Sequence, residues 1–168
     1  MSYKKISGTP NIIKFSYNND TMFEKIQLRS MYKVKSIKDN EGEAMIDEYG
    51  ISEDEELYYD EFISDAVYSV FEVIKKMVKT VTNSVIVPDS TNSSVIAFSI
   101  IDRQAYDENM LPLCDQLINT YIKQQVLTDW FKDKALNDLF EKSLNDLGII
   151  EQRLVDALFE LKKPLISS

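Results

Sequence analysis

The chain carries 28 acidic against 19 basic side chains in 168 residues, is 44% hydrophobic, and has no histidine and one cysteine. That length builds one ordinary core, and the missing imidazole and lone thiol, Cys114, exclude the common zinc sites, His-based triads and internal disulfides. No apolar run approaches the ~20 residues of a membrane span, and Met1-Ser2-Tyr3-Lys4-Lys5 lacks the apolar stretch of a signal peptide; the single cysteine fits a reducing cytoplasmic origin.

Charge is unevenly spread. Residues 1–35 hold seven Lys/Arg against two acids, while residues 36–61 hold one Lys against eleven acids. Such blocks are either solvated surface or complementary charge between neighbouring copies or other proteins.

Residues 1–19 read as an N-terminal arm without a core of its own, in which Ile12, Ile13 and Phe15 could form one short strand. Thr21 and Glu24 have capping-box spacing, which predicts a helix over about 22–36 with Phe23, Ile26, Met31, Val34 and Ile37 in its apolar row. Asp39 to Glu43 is a turn lacking the alternating oxygen ligands and distal Glu of a calcium loop. Ser52 with Glu55 is a second capping box, and the acids Glu53 to Glu56 suit the positive end of a helix running to about 81. Its buried row is Tyr59, Ile63, Ala66, Val67, Val70, Ile74, Met77, Val78 and Val81. Consecutive acids on a helix point in different directions, so a metal cluster there is the weaker reading.

Two β-rich runs, Val85 to Val87 and Val95 to Ile101, flank the polar loop 88–94 and predict a hairpin over about 84–101. Its second run is apolar on both faces. A lone two-stranded ribbon is marginal, so it must be clamped by helices or paired with a neighbouring copy. A third long helix opens near Asp107 to Asn109 and runs through Trp130 and Phe131. The last helix carries a seam of Leu136, Phe140, Ser143, Leu147, Ile150, Leu154, Ala157 and Leu161 along about 40 Å. It should lie antiparallel to its predecessor, with Trp130, Phe131, Phe140, Leu147 and Leu154 as core. Gly148 within it costs about 1 kcal/mol against alanine and implies a kink or a close backbone. Lys162 and Lys163 load its last turn and Pro164 ends it, leaving Leu165, Ile166, Ser167 and Ser168 to tuck back or dock elsewhere. The expected fold is a mainly α domain over 20–163, a bundle of about four helices with a β-hairpin inserted between the second and third helices.

The order of elements, the run Phe23-Glu24-Lys25-Ile26-Gln27-Leu28-Arg29-Ser30-Met31-Tyr32-Lys33, Asp65-Ala66-Val67-Tyr68, Thr128-Asp129-Trp130-Phe131 and the tail from Lys163 to Ser168 together resemble the head–tail connector (adaptor) proteins of tailed bacteriophages. The likeness is to those of phages infecting gut Bacteroidetes, including the crAss-like group, and is one of order and texture over most of residues 20–168. It implies a virion subunit of the neck, made in the bacterial host cytoplasm, in a closed ring of roughly twelve copies beneath the portal protein. It further implies that Lys162, Lys163, Pro164, Leu165, Ile166, Ser167 and Ser168 dock on the portal, and that Val85, Val87, Val95, Phe98 and Ile100 serve ring or tunnel contacts. Other tail or ring proteins would lie below. Double-stranded DNA would pass without sequence-specific contact, since no cationic, aromatic-studded face is apparent and an acidic surface repels phosphate. No catalytic set, metal or cofactor is expected. The alternative is an acidic interaction protein or DNA mimic that inhibits a basic partner through residues 36–61.

Overall fold

The computed structural model describes residues 3–6, 11–79, 85–88, 95–102 and 107–161. The fold is mainly helical with a small antiparallel sheet. In chain order come strands β1 (Tyr3–Ile6) and β2 (Asn11–Asn18), helix α1 (Asn19–Val34), a short α2 (Ile46–Tyr49), and α3 (Glu56–Lys79). Strands β3 (Val85–Pro88) and β4 (Val95–Asp102) follow, then helices α4 (Leu111–Asp133) and α5 (Asn137–Leu161).

The N-terminal segment is where expectation and structure part. Residues 11–18 are not a coreless arm but an inner strand of a four-stranded sheet ordered β1-β2-β4-β3. Ile13 pairs with Ile100, Phe15 with Phe98 and Tyr17 with Ile96, all antiparallel. Paired residues share a face, and these six are the buried, helix-facing set. Tyr17 is tied further, its hydroxyl donating to the Asp115 carbonyl of α4 at 3.2 Å. The hairpin is thus completed by the chain's own β2, and β4 is paired along both edges. This accounts for an apolar run without a polar face: Ala97 and Ser99, on the side away from the core, are small enough to be shaded by neighbouring strands.

Helix α1 begins earlier than the Thr21–Glu24 spacing predicts. Asn18 is its cap, the side-chain oxygen accepting from the Thr21 N–H at 2.8 Å. Its buried stripe is Met22, Ile26, Ser30 and Val34. Ser30 is satisfied there, donating to the Gln27 carbonyl and accepting from the Ile51 N–H at 2.9 Å. The Ser52–Glu55 capping box forms, Glu55 accepting from the Ser52 N–H at 3.0 Å. One 3-10 turn, Glu53–Glu55, precedes α3, whose core row is Tyr59, Ile63, Ala66, Val70, Val73 and Ile74. Val67 and Met77 are half-buried beside it; the Val78 and Val81 side chains lie outside the description.

Helices α4 and α5 are antiparallel, as expected. Gln124 donates to the carbonyl and Oγ of Ser143 at 3.1 and 2.9 Å, and the Asp107 N–H just before α4 donates to the Leu161 carbonyl ending α5 at 3.0 Å. The lone polar member of the α5 seam is therefore a buried hydrogen-bonding partner. The join uses a Schellman motif, Leu136 N–H to Phe131 carbonyl and Ala135 N–H to Lys132 carbonyl. It forces Ala135 to a φ of 54°. Trp130, Phe131, Leu147 and Leu154 are buried, with Phe140 half-buried on the same core. Trp130 donates to the Tyr49 carbonyl at 2.8 Å and meets Phe62 edge-on, so it binds α2, α3 and α4 together. Gly148 has no close backbone: a Cβ there meets nothing within 4 Å.

Candidate protein-interaction site

With its Met22–Ile26–Ser30–Val34 stripe against the core, α1 turns two flanks outward. One flank carries Asp20, Phe23 and Glu24 and faces the start of α3, where Glu53, Tyr59 and Asp60 complete a shallow acidic groove of about 300 Å³. Phe23 packs edge-on against Tyr59 with ring centroids 4.6 Å apart, and the Tyr59 hydroxyl donates to Asn19 at 3.2 Å. Burial, then the charges of Asp60 and Asp20, push that hydroxyl above the usual tyrosine range.

The opposite flank is basic. Lys25, Leu28, Arg29 and Tyr32 recur at helical spacing and meet Thr120 and Lys123 of α4 around a groove of about 400 Å³. Leu28 and Tyr32 are 68% and 77% exposed, adjacent apolar surface of the kind that marks interaction sites when rimmed by polar groups. Lys123 is held below the ordinary lysine range by burial, then by Arg29 and Lys25 beside it. Among the described residues no carboxylate forms an ion pair with Lys25, Arg29 or Lys123, and no cation forms one with Asp20, Glu24, Glu53 or Asp60.

This cationic, tyrosine-bearing face corrects the expectation that none exists. Its α1 half is readable as a row at positions 25, 28, 29 and 32; its α4 half comes from about a hundred residues later. The residues expected at ring or tunnel contacts divide differently. Phe98 and Ile100 are buried in the chain's own core, so they do not reach a neighbour or a channel. Val95 is half-buried opposite Asn18, and Val85 and Val87 lie on the edge strand β3 in register with Ile101 and Ser99. The expected docking tail, Lys162 to Ser168, lies outside the described residues.

Cys114 is buried and its thiol is pushed up to about 12 by burial and then by Asp115, so it is not a thiolate at neutral pH. Glu55 is not free for ligand binding. Burial would raise its carboxyl, but hydrogen bonds from Ser52 and Lys134 outweigh that and hold it below its ordinary value. Lys134 donates to it at 3.1 Å and lies over the Trp130 ring, 4.6 Å from its centroid. Among the described residues, no group of three His, Cys, Asp or Glu side chains is placed to hold a metal ion, and no helix is long and apolar enough to cross a membrane. No protein-family model matches this chain, and no curated protein or solved structure does either.

Proposed function

We propose that this protein is a structural virion component, a ring-forming head–tail connector subunit that docks beneath the portal and extends the DNA channel toward the tail. In this reading α1, α3, α4 and α5 are the connector's helical bundle, with the β3–β4 hairpin inserted between the second and third long helices. The observation that carries it is the pair of unpaired, oppositely charged flanks on α1, the kind of surface a subunit needs to meet its own copies. Acids alone would suit a DNA mimic; uncompensated cations on the same helix do not, because they repel a basic target.

The portal contact is assigned to Pro164 to Ser168. The helix preceding it is fixed to its last turn, with Leu161 buried and its carbonyl accepting from the Asp107 N–H. Deleting residues 164–168 is expected to leave helical circular dichroism and melting intact while abolishing co-purification with the portal protein. Undiminished portal binding by the truncated chain sinks the assignment.

A further inference from the structure

We infer that the α1–α4 face of Lys25, Leu28, Arg29, Tyr32 and Lys123 is the docking face for a second copy of this chain, which lays its own Asp20, Glu24, Glu53 and Asp60 flank against it. The inference deepens the ring-subunit reading and rests on it. Three cations surround two exposed apolar side chains on one flank, and on the other four carboxylates surround the half-buried Phe23, which rests on the buried Tyr59. Neither flank has a charge partner within the described chain.

The direction of association follows from the helix. At 3.6 residues per turn the acidic and basic flanks are centred roughly 150° apart around the α1 axis. A single partner cannot cover both, so the contact is heterologous: each copy offers its acidic flank to one neighbour and its basic flank to the other. Such contacts grow head to tail and close if the rotation permits. A nucleic-acid phosphate chain would also match the cations, but the net charge of −9 and the carboxylates across α1 oppose a long polyanion. A compact acidic surface, such as the Asp20–Glu24–Glu53–Asp60 flank around half-buried Phe23, matches the cations without bringing a long polyanion past those carboxylates.

Zero-length carbodiimide coupling, which joins a lysine amine to a carboxylate only in direct contact, tests this on the full chain mixed from light and heavy nitrogen. The expected result at low salt is mixed-isotope peptides linking Lys25 or Lys123 to Asp20, Glu24, Glu53 or Asp60, lost in high salt. Lys25→Glu with Arg29→Glu, or Glu53→Lys with Asp60→Lys, should each abolish self-association while retaining wild-type circular dichroism. Mixing the two variants should restore it as an alternating assembly. Absence of intermolecular links in the wild type, links mapping elsewhere, or no rescue on mixing overturns the inference. So does a short DNA duplex binding through Lys25 and Arg29 in a chain that forms no self-links. Portal binding that survives when the swap fails overturns the interface alone; an intact swap with no portal binding overturns the connector reading alone.

Discussion

The α4–α5 pair and the four-stranded sheet share one core but are assembled from contacts at very different sequence separations. Three residues join the helices, and their buried polar link, Gln124 to Ser143, spans 19 positions. The sheet instead pairs Ile13 with Ile100 and Phe15 with Phe98 across most of the first hundred residues. Closing that distance costs only about 0.6 kcal/mol per doubling of loop length, whereas burying one Phe contributes roughly 1.5–3 kcal/mol. A distant pairing is therefore affordable in free energy. The helix pair is held by local contacts and the sheet by long-range ones.

The comparison is most severely tested at Phe98, which is fully buried in a strand paired on both edges. Phe98→Ala is expected to cost about 3–5 kcal/mol, read by urea unfolding. Trp130 fluorescence, from the helical part, should move with far-UV circular dichroism to the same new midpoint. A Trp130 transition that stays at the wild-type midpoint means the sheet unfolds separately, and the two regions are then not one cooperative unit.

A smaller and opposite effect is expected at the join of the helix pair. Ala135 occupies the left-handed conformation at a C-terminal position that glycine fills without a Cβ penalty. Ala135→Gly should stabilise the protein by roughly 0.5–1 kcal/mol, the relief of strain exceeding the added freedom of the unfolded chain. A lowered thermal midpoint would show that the turn is not under strain. The smallest effect belongs to the Ser52–Glu55–Lys134 cluster that links the start of α3 to that join. Because the folded carboxyl of Glu55 lies below its unfolded value of 4.5, its contribution is present above pH 4.5 and is lost as pH falls through the folded value. Glu55→Gln should cost at most about 1 kcal/mol at neutral pH, since the pair is partly solvated, and the difference from wild type should shrink in acid. A difference that does not change with pH would assign the effect to packing.

The helices were legible because their signals are repeated within a turn or two. The α5 seam recurs at spacings of four and three through Leu147, Leu154 and Leu161, and the Ser52–Glu55 box is complete within four residues. Strand β2 has only Ile13, Phe15 and Tyr17 in alternation between polar neighbours, too little to distinguish an arm from an inner strand without knowing that β4 lies beside it. The start of α1 was missed for a related reason: Asn18 and Thr21 both have capping chemistry, and only the backbone decides which residue is extended. Of the candidate site, the Lys25–Leu28–Arg29–Tyr32 row is a property of one helix, while Lys123 is not.

By itself the sequence determined that the protein is mainly helical, where α3 is capped, and that the last two long helices run antiparallel along one apolar seam. Those features depend on hydrogen bonds and side-chain neighbours four residues apart. The tertiary structure alone decided that the N-terminal strand joins the hairpin, that Phe98 and Ile100 face inward rather than toward a neighbour, and that α1 divides an acidic groove from a basic one. Each of these depends on which distant segment excludes water from a given face, a choice made by burial over the whole fold rather than by any local run of residues.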